Sequence, residues 1–331
     1  MRSVVGSLAV VLGVLAGGCS GGGPHGTAAT PAPATATATA TNSATASDGR
    51  PTVGAPGPPA GPTGRPGSIS KSLTIVEENH GQQAALTQMP YLAGLAAAYG
   101  HTTDYHAVAH PSLPNYLALA GGSTFGVTDD APPAAHRIPG PSVFDQAIAS
   151  GRTATAYIES MPSPCALASG GRYAVRHNPW TYFADPAGRT HCQAYDVPAG
   201  SPSAGPLHDD VAAGTLPTVG WLTPDLCHDG HDCPLSAADD WLRQWLPIIM
   251  DGPDYRAGRL AVIITFDEDE GTTANTVLTT LIAPGLQHVV SSTPCSHYCW
   301  TRYVGDLAGT APLNLAAHPD VTPLGAPFGL G

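Results

Sequence analysis

The run Leu260-Ala-Val-Ile-Ile-Thr-Phe266 is followed at once by Asp267-Glu-Asp-Glu270. The run carries no charge and is rich in β-branched side chains, which favours a strand. It is apolar at consecutive rather than alternate positions, so both of its faces must be covered. That pattern belongs to a strand inside a parallel sheet flanked by helices. Residues 73–76, 102–108, 153–158, 218–223 and 276–282 also read as strands. Residues 89–99 read as a helix stopped by Gly100, and residues 114–120 as one stopped by Gly121-Gly122. Residues 143–149, 237–250 and 301–307 read as further helices. Strands alternating with helices predict an α/β protein, a three-layer α/β/α sandwich with a mainly parallel central sheet.

In such sheets a site forms in the crevice at the carboxyl ends of the strands. Polar clusters fall at those ends: Glu77-Glu78-Asn79, Pro224-Asp225 with the histidine-rich loop after it, and Asp267 to Glu270. Adjacent carboxylates welded to a buried strand can both reach one hard cation, so Asp267 and Glu268 are candidate ligands of a divalent metal. A solvated acidic turn is the plainer account of such a run. Glu78 and Asn79 have the same placement and offer the same oxygen chemistry. All-oxygen ligands favour calcium, magnesium or manganese, with zinc or iron as alternatives.

Ser112 lies in His110-Pro-Ser-Leu-Pro-Asn-Tyr116, just before a proline suited to the first turn of a helix. The plain reading is a capping serine. The functional reading uses the same placement, because a helix N-terminus offers N–H groups and partial positive charge to an anion. A hydroxyl there, activated by a metal, can attack phosphorus. Fourteen histidines are many for 331 residues. Any one is most simply structural. As a group, His177, His228, His231 and His297 can donate to phosphoryl oxygens and to a leaving group. Their protonated forms offset a net charge of −12 and favour anionic substrates at mildly acidic pH. That net charge, with no basic patch, speaks against nucleic acid as a partner.

The N-terminus has the layout of an export signal: Met1-Arg2, an apolar run over 4–16, then Gly17-Gly18-Cys19. The apolar run is too short to span a membrane. Residues 1–19 are therefore expected to be a signal peptide, with Cys19 as a lipoprotein-type lipidation site. The large aliphatic residue of that box lies one position further back than usual, and plain secretion with an incidental Cys19 is the rival. Residues 20–68 consist largely of Gly, Pro, Ala, Thr and Ser. They cannot bury enough apolar surface to offset their ordering entropy, and are expected to form a disordered linker. The catalytic domain is then 69–331. The expected location is the cell envelope or the exterior, with membrane attachment only through Cys19.

Setting Cys19 aside leaves Cys165, Cys192, Cys227, Cys233, Cys295 and Cys299. An even number in an exported chain reads as disulfides. Proximity suggests 165–192, 227–233 and 295–299. A zinc site using the nearby His228, His231 and His297 is the alternative.

Several blocks occur in order: Glu78-Asn79-His80, HPSLPNYLALAGGSTFGVTDD over 110–130, YAVRHNPWTYF over 173–183, PDLCHDGHDC over 224–233 and TFDEDEG over 265–271. Together they resemble the bacterial phosphoesterase family of acid phosphatases and phospholipases C, in the alkaline-phosphatase-like superfamily. The resemblance implies that Ser112 is a nucleophile forming a phospho-enzyme intermediate. It implies Glu78, Asn79, Ser112, Asp267 and Glu268 around one divalent metal ion. His177, His231 and His297 become catalytic histidines, and Asn115, His177 and His231 become substrate-binding residues. Arg176 stands where some members of the family carry a second histidine. The expected function is an exported metal-dependent acid phosphatase acting on small phosphomonoesters. A phospholipase C acting on lipid head groups is the alternative, and a non-catalytic surface lipoprotein that binds through this fold is a third.

Overall fold

The computed structural model describes residues 68–330. The signal peptide, Cys19 and the linker of the sequence reading lie outside the described residues. The central sheet has eight strands in the order β5-β4-β6-β1-β7-β8-β2-β9. These are β1 (Lys71–Glu77), β2 (Gly100–Thr102), β4 (Ala154–Ile158), β5 (Asp196–Pro198), β6 (Val219–Thr223), β7 (Leu260–Phe266), β8 (Thr279–Ile282) and β9 (Val289–Ser291). β3 (Tyr105–His106) pairs with β10 (Cys295–Ser296) in a separate two-stranded ladder. Strands β5, β4, β6, β1 and β7 are mutually parallel, and β8 runs antiparallel to its neighbours β7 and β2.

Every residue of β6, β7 and β8 is buried, as the uninterrupted apolar runs require. The helices that cover the sheet fall into two groups. α3 (Ser112–Gly121), α4 (Val143–Ala149) and α9 (His297–Ala308) pack on one another, and α9 docks on β1 where Trp300 Nε1 donates to Thr74 Oγ1 at 2.8 Å. In the other group, α1 (Gln82–Gln88) and α2 (Pro90–Ala98) pack on α7 (Leu235–Asp251). Buried Asp239 of α7 caps α2 by accepting from the Tyr91 and Leu92 N–H groups, both at 2.9 Å. α5 (Pro186–Tyr195), α6 (Pro206–Ala213) and α8 (Pro253–Arg256) complete the set.

Two expectations need correcting. The strand read over 102–108 is divided: β2 ends at Thr102, and β3 belongs to the second ladder. Gly100 does not merely stop a helix but opens β2, where Phe328 and Leu286 pack too closely to leave room for a side chain. The short α1, α5 and α6 went unread because no long apolar period marks them. At the end of α3, Gly122 adopts the left-handed conformation expected of a helix stop (φ 68°). All three disulfides form as proximity suggested, 165–192, 227–233 and 295–299, so these cysteines are not zinc ligands. Among the described residues no helix is long and apolar enough to cross a membrane.

At the amino ends of the strands, buried Asp254 of α8 ties three segments together. It accepts from Lys71 Nζ at 2.7 Å, Arg259 Nη2 at 2.7 Å and the Leu216 N–H at 3.1 Å. Asp254→Ala would leave a half-buried lysine unpaired and should lower unfolding free energy by about 3 kcal/mol, read from the denaturant midpoint. Turnover per folded molecule should be retained, because the clamp lies at the strand ends opposite the polar clusters.

Candidate active site

Parallel pairing of β1 with β7 sets Glu77 beside Phe266, so the chains leave the sheet together and Glu78 and Asp267 emerge as neighbours. The Asp267 N–H donates to the Glu77 carbonyl at 2.9 Å, and the Glu78 N–H donates to the Asp229 carbonyl at 2.8 Å. Asn79 takes a left-handed backbone (φ 56°) that turns its N–H onto Asp267 Oδ1 at 3.0 Å. This conformation suits Asn better than most residues with a side chain.

Ser112 is the first residue of α3, and all ten residues of that helix are buried. The helix N-cap is Pro111, with no side-chain cap, so Ser112 is not a capping serine. Its hydroxyl instead donates to Glu78 Oε2 at 3.0 Å, close enough to the Asp267 and Glu268 carboxyl groups to act on both. Tyr116, one turn on, donates to Glu78 Oε1 at 2.7 Å. Its ring stacks on His177, with centroids 5.2 Å apart and planes 7° apart. The His177 Nδ1–H donates to Asp229 Oδ2 at 3.1 Å, and Nε2 lies 3.2 Å from Glu78 Oε1 without the geometry of a hydrogen bond. Ser112, Glu78, Asn79, Asp267, Glu268 and His177 are thus one constellation.

Other expected residues sit differently. Asn115 was read as substrate-binding. Its Oδ1 accepts from the Val108 and Ala109 N–H groups at 2.9 and 3.0 Å, and its Nδ2 donates to the Ala109 carbonyl at 2.8 Å. It stands one turn after Ser112 and holds the loop that leads into it, and its Nδ2 also donates to Glu268 Oε2 at 3.3 Å, so it borders the carboxylate cluster. His297 was read as catalytic, but both of its ring nitrogens are engaged behind the site. Nε2–H donates to the Asp267 carbonyl at 2.6 Å, and Nδ1 accepts from the Tyr105 hydroxyl at 3.1 Å. His297 therefore positions Asp267, and burial holds its pKa down at about 4, so it stays neutral. His231 lies at the exposed rim, with its ring centroid 5.9 Å from that of His177. Its Nε2 accepts from Arg176 Nη2 at 2.9 Å. His228 is drawn away from the centre by Glu159, whose Oε2 lies 2.9 Å from His228 Nδ1.

Sequence reasoning missed Asp229, Tyr116, Asp130 and the pairing of His110. His110 Nδ1 contacts Glu268 Oε2 at 2.7 Å, so this histidine is part of the carboxylate cluster. Asp229 stood in plain view inside Cys227-His-Asp-Gly-His-Asp-Cys233 but drew less notice than the histidines around it.

The cluster is strongly acidic and buried. Burial pushes Asp267 and Asp229 up to about 7. Glu268 rises to about 9, through burial and then the charge of Asp267. Glu78 is raised by burial and by Asp267 and Asp229, and burial pushes His177 well below its ordinary value. Asp267 Oδ2 is buried with no hydrogen-bond partner. Crowded carboxyls with an orphaned oxygen fit a hard divalent cation, which would hold them ionised. Glu78, Asp267 and Glu268, with Ser112 and Asn79 beside them, are the residues that could hold it. A second cluster, Glu159, Asp225 and His228, is already saturated by Trp241 Nε1, the Ser160 hydroxyl and backbone N–H groups.

A mainly parallel α/β sheet with carboxylates, a serine and histidines at its carboxyl edge defines the class, a hydrolase with the alkaline-phosphatase-like fold. A protein in the alkaline phosphatase superfamily from Vibrio parahaemolyticus superimposes with a TM-score of 0.50 at 12% identity, over 79% of this chain and 74% of that one. The chain belongs to the Phosphoesterase family, whose model matches residues 82–281, and so acts on phosphoric ester bonds. It is 29% identical over 232 residues to a phosphatidylinositol-3-phosphatase of Mycobacterium tuberculosis, covering 68% of this chain and 72% of that protein. It is 29% identical over 222 residues to a phosphate-repressible acid phosphatase of Penicillium chrysogenum, covering 62% of this chain but only 50% of the fungal one.

Acids whose folded pKa is raised bind more protons in the folded than in the unfolded state. Their unfavourable contribution grows as pH rises from about 4 toward about 7. Without added metal, the melting temperature should therefore fall between about pH 5 and about pH 7.5. Calcium, magnesium or manganese should restore it, and more so at the higher pH, because binding requires the ionised ligands. Equal cation effects at both pH values would place the ion elsewhere.

Proposed function

We propose that this protein is an exported, metal-dependent acid phosphatase that hydrolyses phosphomonoesters through a phosphoserine at Ser112. The observation that carries the reading is the Ser112 hydroxyl, donating to buried Glu78 at the head of a helix whose N-terminus faces the carboxylate cluster. The names of the relatives, a phosphatidylinositol-3-phosphatase and acid phosphatases, support a phosphatase reading.

A bound divalent cation supplies Lewis acidity, lowering the pKa of the serine hydroxyl and screening the phosphoryl charge from the carboxylates. The chain's own residues do the rest. Glu78 Oε2 lies on the path of the hydroxyl proton as Ser112 Oγ attacks phosphorus. Tyr116 holds the other Glu78 oxygen, so the carboxyl group keeps its orientation during transfer. His231 and Arg176 stand at the open rim, where a leaving alcohol departs and needs a proton. His177, fixed at Nδ1 by Asp229, presents Nε2 to the interior and can take a proton from the water that hydrolyses phosphoserine. Asp229 acts through His177 and is a positioning residue.

A phospholipase C acting on lipid head groups remains the second reading within this family. Assay of p-nitrophenyl phosphate and phosphatidylcholine side by side separates the two, with the monoester expected to be turned over faster. Ser112→Ala should reduce monoester hydrolysis by at least about 10³-fold while the protein stays folded. Rapid acid quench of the wild type should trap phosphate on Ser112. Hydrolysis by Ser112→Ala at the wild-type rate, with metal present, would sink the nucleophile assignment and point to a different centre, whereas no hydrolysis by the wild type would favour a non-catalytic binding module.

A further inference from the structure

The N-terminus of α3 beside Ser112 is already occupied by an anion from the chain itself. The Leu113 N–H, one residue from the nucleophile, donates to Asp130 Oδ1 at 2.9 Å. The other Asp130 oxygen lies 3.9 Å from Arg176 Nε. Asp130 belongs to a surface loop and is exposed, whereas its partners are buried or partly buried. Its charge is felt by His177 and Glu268, which places it over the constellation. Arg176 is the cation felt by Glu78, Asp229 and His177. Within the adjoining constellation, Asp267 Oδ2 and His177 Nε2, both almost fully buried, have no hydrogen-bond partner.

We propose that the Leu113 N–H and the Arg176 guanidinium form the subsite for a phosphoryl oxygen of the substrate, and that the Asp130 carboxylate fills this subsite until the substrate displaces it. The claim rests on the phosphatase reading and adds a selectivity device to it. A helix N–H and an arginine are the donors that an oxyanion of phosphate would take. The Asp130 carboxylate satisfies the Leu113 N–H and lies within ion-pair range of the guanidinium while the site is empty. A phosphomonoester dianion carries enough charge to outcompete that carboxylate, whereas a phosphodiester monoanion competes less well. The displaced loop keeps its place in the chain, so the exchange needs only Asp130 to swing into water.

A carboxylate at a helix N-terminus is also an ordinary stabiliser, and the two roles separate on substitution. Asn keeps an oxygen that accepts from the Leu113 N–H but carries no charge to compete with phosphate. Binding of inorganic phosphate to the full chain, measured by calorimetry with metal present, should tighten about tenfold in Asp130→Asn and loosen about tenfold in Arg176→Ala, the scale of one charge-assisted hydrogen bond. Asp130→Ser, which also keeps an acceptor, should shift affinity the same way. The rate ratio of monoester to diester should fall in Asp130→Asn. Unchanged or weaker phosphate binding in both Asp130 variants, with melting temperatures like the wild type, overturns the proposal. Repeating the titration in Ser112→Ala keeps the two claims apart: phosphate affinity reports on the subsite, and loss of turnover reports on the nucleophile.

Discussion

Negative charge brought together and buried is the constraint on which the rest of this structure depends. The β1–β7 register delivers Glu78 and Asp267 side by side, and Glu268 and Asp229 join them. Carboxyl groups so placed cannot all ionise without a counter-charge. The protein supplies little of its own. Arg176 stands at the rim, and His177 is kept neutral by burial. In the function proposed above, a cation and a phosphoryl group would complete the site electrostatically as well as chemically, each offsetting charge that opposes the other's binding.

Holding that cluster in place falls to groups packed behind and around it. His297 grips the Asp267 carbonyl from behind and is itself fixed by Tyr105. Asn115 fastens the loop that leads into Ser112. Tyr116 both orients Glu78 and stacks on His177, so one side chain sets two of the groups around the serine. Because α3 is buried on every side, Ser112 is presented by a rigid element rather than a mobile loop.

Much of this was legible in the chain. The apolar run of β7 and the acidic residues after it fixed a buried parallel strand with a cluster at its carboxyl end, and the structure has both. The helix stop at Gly121-Gly122 and the short disulfide loops 227–233 and 295–299 were readable from local sequence, which left 165–192 as the remaining pair. What escaped was set by tertiary contact. Whether Asn115 faces the substrate or the loop depends on how residues 107–111 fold back over it. His297 was read as catalytic from the family resemblance. Only the position of Tyr105, distant in sequence, shows that its nitrogens are spent. The antiparallel direction of β8 was equally hidden, since a four-residue buried strand has the same composition either way.

The Asp254 clamp and the carboxylate cluster lie at opposite ends of the same strands. Robustness and selectivity are therefore coded in separate places. Changes around Asp254, Lys71 and Arg259 can tune how well the chain survives heat or denaturant. Changes at the rim formed by Asp130, Arg176 and His231 can retune what it accepts.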